Sequence, residues 1–538
     1  MIAFASGGTG DDGRDAAVIV VWVLVAAAAL FWRPIPLPRC RPGRVALAGL
    51  AAMTLLVAVS ARWAPLGGPA LDDRVRLGLY LGVFLLATCA WPSRRVARLA
   101  EPALVAGAVT VVGYGLSERL VPDLVSFERS LGASGLLKQP ITYWNAMGVL
   151  AAVAIVLAAR VMGDVQRRPA WGTAAAIACA PLGAGLGLTA SRGAIAALAA
   201  GLAALVLLAP ERRQARAALL ALGASALGGL AASLIPAVRT LEGGAAERRL
   251  QGLAALAVLG AIAAASALVE RRVVPASGRT RLPRPGRALA PLAVIALAAV
   301  LVPALVGGGG RGLGGNRHDY WTVAAGVFAD HPVRGAGSGA FVVEWARERE
   351  IEESVRDAHS LYLETAAELG LLGLLVLGLF FAGVVAAGRG AHRRDAALAA
   401  GPCAALVVLL MHAAVDWDWE VPAVTLPALV LAGVLVWSDD ASAPAGLPKP
   451  PRWPARPSGR LSVHPRRSVS SAGSNAPALP VPVTSRTTSA PACEQLSSER
   501  LAPSTSRHTA TAVAASATRS TVWAALDIRG QASLQPLW

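Results

Sequence analysis

Apolar residues fall in long blocks separated by short polar connectors. In chain order the blocks run over 16–32, 44–62, 76–92, 102–116, 142–160, 170–189, 192–209, 217–236, 251–269, 288–306, 361–386, 396–415 and 421–437. Most approach or exceed the roughly 17–25 residues a helix needs to cross the hydrocarbon of a bilayer. Inside lipid a helix satisfies every backbone N–H and C=O within itself, so the pattern predicts an all-α, polytopic membrane protein of about 12–13 transmembrane helices. The first block follows Asp11, Asp12 and Asp15 rather than a basic stretch, and no small-residue cleavage site follows it. It therefore reads as a retained span and not as a secretory leader.

The connectors divide the chain. A short segment, 1–15, precedes the first ten spans (16–306); a large loop, 307–360, separates them from the last three (361–437); a tail, 438–538, follows. The large loop opens on "VGGGGRGLGG" and continues as "RHDYWTVAAGVFAD", where Trp321, Ala325 and Phe328 share a helical face. Pro332 stops that helix, and Gly335 and Gly337 permit the backbone angles of a tight turn. A charged amphipathic helix, "FVVEWAREREIEESVRD", is expected next. The loop is thus predicted to be folded. A second connector, 117–141, is long enough for a short helix lying on the membrane. The tail is rich in Pro, Ser, Thr and Ala without periodicity, and a disordered basic extension is expected there.

Composition agrees: 55% of the 538 residues are hydrophobic and 15% are charged, too apolar for an ordinary soluble globule. The net charge of +17 resides largely in arginines of alternate connectors: 33–44, 93–99, 160–168, 211–216, 271–287 and 388–394. The positive-inside rule places these in the cytoplasm of a plasma-membrane protein, with the 307–360 loop outside and the tail inside. With no soluble basic domain, nucleic acid is not an expected partner. Cys40, Cys89, Cys179, Cys403 and Cys493 form no CxxC or Cys/His cluster.

Ionisable groups at the outer ends of spans are costly unless they snorkel, pair or work. Arg192, in "LTASRGAIAALAAG", is either a snorkelling arginine with Ser191 as helix cap or an anion site at a helix N-terminus. Arg317 heads the loop helix on the same predicted face, as a solvated charge or a second guanidinium for phosphate oxygens. His359 precedes Tyr362, Glu364 and Glu368, and a neutral imidazole there suits removal of a hydroxyl proton near pH 7. Glu364 and Glu368, four apart, are expected to orient loop groups or pair with arginines. Asp416 and Asp418 form a short D-x-D; a structural or acceptor-side role is preferred over metal binding. Trp417 and Trp419 beside them suit an interfacial belt. Asn145 either meets sugar hydroxyls or caps and packs.

With these residues in place, the chain from 16 to 437 resembles the O-antigen ligase and polymerase superfamily. The resemblance rests on "SRG" at 191–193, on Arg317 and Trp321 followed by "DHPVRGAGSGAF", and on "AHSLYLETAAELGLLG" at 358–373. Many spans with one large outer loop before the last of them complete it. Ser360 departs from the Asn frequent in the family. The resemblance implies a metal-independent, inverting glycosyl transfer outside the membrane, in cell-surface polysaccharide assembly. The donor would be a glycan on a polyprenyl diphosphate such as undecaprenyl diphosphate; the acceptor a glycan, lipid, protein or wall hydroxyl. Arg192 and Arg317 would bind the diphosphate, His359 would act on the acceptor hydroxyl, and no cofactor is implied. A repeat-unit polymerase shares this chemistry. A polysaccharide or lipid transporter is the rival from another class; it predicts internal repeats and broken helices with midplane charges, whereas no obvious repeat is present and the outward-facing charges crowd one face.

Overall fold

The computed structural model describes residues 2–31, 37–127, 135–274, 280–283 and 316–440. Sixteen α-helices account for most of them: α1 (Asp11–Phe31), α2 (Arg41–Ser60), α3 (Gly67–Ala87), α4 (Arg94–Ala97), α5 (Ala100–Leu120), α6 (Trp144–Gly163), α7 (Pro169–Leu188), α8 (Arg192–Leu208), α9 (Arg212–Leu234), α10 (Pro236–Thr240), α11 (Ala245–Val273), α12 (Arg317–Asp330), α13 (Phe341–Glu348), α14 (Leu361–Arg394), α15 (Ala396–His412) and α16 (Pro422–Asp440). The protein is all-α and polytopic. Among the described residues nine helices are long and apolar enough to cross a membrane, and α8 and α15 are shorter apolar helices of 17 residues.

Twelve of the thirteen expected spans coincide with a helix; the block at 288–306 and the tail beyond 440 lie outside the described residues. Helix α3 does not reach the apolar threshold, because its first turns carry Asp72, Asp73, Arg74 and Arg76. At 117–141 the expected surface helix is not formed in the described part. Residues 117–120 extend α5, and turns follow, pinned where Arg119 donates to the carbonyls of Val238 and Gly135.

Helix α6 lies at the centre, with its apolar window wholly buried, whereas α1 is the most exposed of the nine. Neighbouring helices approach through small residues. A Cβ on Gly49 of α2 would sit 2.5 Å from the backbone nitrogen of Phe380 in α14, so only glycine allows that crossing. The arginine-rich connectors meet one another: Arg94 and Arg98 reach Asp395 at 3.1 and 3.5 Å, Arg160 donates to the Ala397 carbonyl at 2.9 Å, and Arg216 to that of Val273 at 3.1 Å. The arginine-poor connectors gather elsewhere, around 412–420.

The large loop is folded where it is described. Helix α12 spans the predicted stretch, but its buried face is Tyr320, Val323, Ala324 and Val327. That face is turned from the predicted Trp321/Ala325/Phe328 stripe, because it packs on Phe341, Trp345, Ala358 and Ala367; Ala325 is exposed. Helix α13 is shorter than expected, ending at Glu348. There the chain folds back so that Trp345 Nε1 and Arg349 both donate to the Glu353 carbonyl, at 2.7 and 3.1 Å.

Helix α14 is broken at Gly370, whose φ of 64° and ψ of −157° interrupt the ladder. The turn from α12 to α13 fills the break: Leu371 and Leu372 donate to the carbonyls of Pro332 and Val333, at 2.8 and 3.1 Å. In return Ala336 and Gly337 donate to Ala367 and Glu368, at 2.9 and 2.8 Å. Gly335, at φ +68°, must be glycine, since a Cβ there would lie 2.2 Å from the Glu368 carbonyl carbon.

Candidate functional site

The connector between α15 and α16, "HAAVDWDWE" (412–420), touches the N-terminal ends of four other helices or the residues just before them. Asp416 is fully buried and is the hub. It accepts from Arg317 Nη2 at 2.8 Å, Asn145 Nδ2 at 2.7 Å, the Tyr143 hydroxyl at 2.6 Å and the Trp417 N–H at 2.9 Å. Asn145 also donates to the Tyr143 hydroxyl at 2.8 Å. A carboxylate that accepts from four donors holds each of them in place in return. The Asn145 amide is thus engaged by Tyr143 and Asp416, and no side chain caps α6. Arg317, at the first position of α12, keeps about a quarter of its side chain accessible, 27%. Asp416 accepts from one of the five N–H groups a guanidinium carries.

Arg192 opens α8 immediately after a strained turn. Ala190 has φ +50°, unfavourable for a residue with a Cβ. Ser191 Oγ caps α8 by accepting the Ala194 N–H at 3.3 Å. It also faces His412 Nε2 at 3.5 Å, and the other ring nitrogen of His412 pairs with Asp418. Burial pushes the Asp418 carboxyl above its ordinary range, against the pull of His412. The D-x-D is thus divided, Asp416 serving Arg317 and Asp418 serving His412.

His359 also has a positive φ, +51°, and is half-buried. Its Nδ1 lies 3.1 Å from the Asp357 carbonyl, which can only accept, so Nδ1 donates there and Nε2 carries the lone pair in the neutral ring. The ring packs on Tyr320, with centroids 5.1 Å apart. Two residues on, the Leu361 N–H donates to the Ala413 carbonyl at 2.9 Å, and the Tyr362 hydroxyl to that of Leu410 at 3.1 Å. The histidine turn is thereby fastened to the end of the helix that carries His412. Trp321 packs beside Tyr320 on the small loop core, at its edge.

Glu364 and Glu368 orient loop groups and take backbone N–H donors rather than guanidiniums. Glu364 accepts the Ala358 N–H at 3.0 Å; Glu368 accepts those of Gly339 and Phe341 at 2.9 and 3.1 Å, capping α13. Asp357, Glu364 and Glu420 bring three carboxylates together, with oxygens all within 4.8 Å of one another. Arg76 of α3 donates to Glu420 at 2.8 Å and also pairs with Asp73, which accepts from the Ser338 hydroxyl. Burial pushes Asp357 well above the ordinary carboxylate range, and the neighbouring Glu420 adds to that; Arg76 offsets burial at Glu420 and draws it below.

An apolar groove of about 560 Å³ runs between α14, α15 and α16. Leu361, Ala413 and Asp418 line one end and Arg389, His392 and Arg393 the other, with Phe380, Phe381 and Leu406 among the residues between.

Residues 174–378 match the family model described as O-antigen ligase. That segment of the chain is similar to the O-antigen ligase family. Arg192, Arg317, Trp321, His359, Tyr362, Glu364 and Glu368 lie inside the matched segment, and Asn145, His412, Asp416 and Asp418 outside it. No curated protein matches the chain. His412, Tyr143 and Arg76 were not singled out from sequence as working residues. The signal that existed was "HAAVDWDWE", an unusual concentration of polar groups at a span end.

Proposed function

We propose that this membrane protein is an extracytoplasmic glycosyltransferase that moves a glycan from a polyprenyl-diphosphate carrier to an acceptor hydroxyl. The observation that carries the reading is the convergence of the Arg192 turn, Arg317 and the His359 turn on the 412–420 connector, at the head of an apolar groove. The groove suits a prenyl chain. The arginine-rich connectors at the other end support an extracytoplasmic position for this end, by the positive-inside rule.

In this reading Arg192 and Arg317 bind the diphosphate. The acceptor hydroxyl gives its proton to His359 Nε2 while its oxygen bonds to the anomeric carbon on the face opposite the diphosphate. The bond from that carbon to the phosphate oxygen breaks with its electron pair, so the anomeric centre inverts and polyprenyl diphosphate leaves. The guanidiniums meet the developing charge, each fixed donor contributing about 2.7–4 kcal/mol of barrier lowering, and proton removal contributes about 10²–10⁴-fold. Because Asp416 already fixes Arg317, little reorganisation is needed as charge develops. The folded loop over the site excludes water that would otherwise hydrolyse the donor.

The test compares membranes holding the wild-type chain or His359→Ala at matched expression, given a polyprenyl-diphosphate oligosaccharide and cell-envelope acceptor. Release of polyprenyl diphosphate that depends on His359 is expected; equal release, or none from either, overturns the proposal. A single addition marks a ligase product and a ladder a polymerase product.

A further inference from the structure

We propose that His412, oriented by Asp418, is a positioning residue for Arg192: it holds the strained 189–192 turn in the geometry that presents the guanidinium to the donor diphosphate. This deepens the functional reading above and rests on Arg192 binding the diphosphate.

Ala190 occupies a left-handed conformation that persists only when its surroundings over-determine it. Local bonds contribute: the Ala190 N–H donates to the Gly187 carbonyl at 3.1 Å, and the Ser191 N–H to Thr189 Oγ1 at 3.4 Å. The remaining support comes from outside the turn. Asp418 accepts from His412 Nδ1–H, which in the neutral ring leaves the Nε2 lone pair facing Ser191. The Ser191 hydroxyl then donates to Nε2 while its oxygen accepts the Ala194 N–H. The chain Asp418–His412–Ser191–Ala194 thus ties the connector to the first turn of α8.

Gly193 records how close the ring lies: a Cβ there would be 3.1 Å from His412 Nε2 and 3.4 Å from Val415 Cγ2. His412 and Ser191 are 1% and 5% exposed, so they act through Arg192 rather than on substrate. The charged groups around the ring are Asp418, Asp416 and Arg317, and Asp416 holds the second predicted diphosphate arginine. One connector thereby sets both guanidiniums. The two histidines divide the work, His359 at the reacting hydroxyl and His412 beneath the anion site.

The test uses the full chain in lipid nanodiscs with undecaprenyl diphosphate as probe. His412→Gln brings an amide group near the position of Nε2, where its oxygen can accept from the Ser191 hydroxyl. His412→Asn keeps only the reach to Asp418, and Ser191→Ala removes the hydroxyl itself. Binding of the probe should weaken about 10–100-fold in His412→Asn and Ser191→Ala, as for groups that orient a ligand-binding side chain, and stay within about threefold of wild type in His412→Gln. Amide exchange over 188–195 should rise in the first two variants and not in the third. Arg192→Lys added to His412→Asn should lose much less than the two single effects multiplied.

Equal behaviour of the Gln and Asn variants would reduce His412 to a space-filling ring and overturn the proposal. So would faster exchange with unchanged probe binding. A variant that fails to insert leaves Ser191→Ala, which deletes one oxygen, to decide. Wild-type protein that binds the probe through Arg192 but releases none from a glycan donor would refute the transferase reading and leave the positioning role standing.

Discussion

Replacing Glu368 with Ala should unlatch the extramembrane loop while leaving the bundle inserted. The two Glu368 oxygens accept N–H groups of Gly339 and Phe341, and Phe341 is fully buried. Removing the carboxylate leaves both donors without a partner, at about 1–3 kcal/mol each, or about 2–6 kcal/mol together. Because Gly339 is half-buried, water recovers part of its share, and the lower half of that range is expected. Even 2 kcal/mol multiplies the population of the opened turn about thirtyfold, at roughly 1.4 kcal/mol per tenfold. The bonds from Ala336 and Gly337 to Ala367 and Glu368 are backbone bonds and survive, so opening should stay local. Hydrogen exchange of purified protein reads the effect: amides at 336–343 should exchange faster, those in α6 should not change, and donor turnover should fall. Glu368→Gln, which keeps one acceptor, should lie between. Unchanged exchange at 336–343 in Glu368→Ala would refute the latch.

Arg192→Lys and Arg317→Lys keep the charge but lose paired phosphate geometry, so turnover should fall about 10²–10³-fold in each; near-normal rates in both would remove the diphosphate assignment. Asp357→Asn should raise the melting temperature at pH 8 and leave it unchanged near pH 4. A carboxyl held above its ordinary range stabilises the fold while protonated and loses that contribution as pH rises through the folded-state value, a loss the neutral amide avoids. Asp416→Ala leaves Arg317, Asn145 and Tyr143 facing a buried gap and should destabilise by about 3–5 kcal/mol, read by thermal unfolding in detergent. Chelation with EDTA should leave turnover intact. Loss that added divalent cation restores would instead assign an ion to the Asp357–Glu364–Glu420 carboxylates.

The helices were legible because their signal is one-dimensional: a run of apolar residues interrupted by arginines says both that a span exists and which end is which. The loop turn was legible for a similar reason, since Pro332, Gly335 and Gly337 act on their own backbone. The face of α12 was misjudged because a helix of only 14 residues does not say which neighbour it will bury against, and Tyr320 and Val323 won through Phe341 and Trp345. Helix α13 stops early because the backbone turns extended at Arg349, and the Glu353 carbonyl then accepts from Trp345 Nε1 as the chain folds back. Arg192, Arg317 and His359 stood out as charges where charges are expensive. His412 did not, because its partners Ser191 and Asp418 are 221 and 6 residues away, and an interaction that spans such different separations leaves no periodicity.

The place of the 412–420 connector has a consequence for biogenesis. Arg192, Arg317 and His359 are all synthesised and threaded into the membrane before the segment that gathers them exists. A nascent or prematurely ended chain carrying the whole matched segment, 174–378, still lacks Asp416 to fix one arginine and His412 to brace the turn of the other. Competence therefore arrives late in synthesis and at once, when the hairpin of α15 and α16 inserts. Under the proposed transferase reading, incomplete chains in the membrane would then not waste an activated glycan on water.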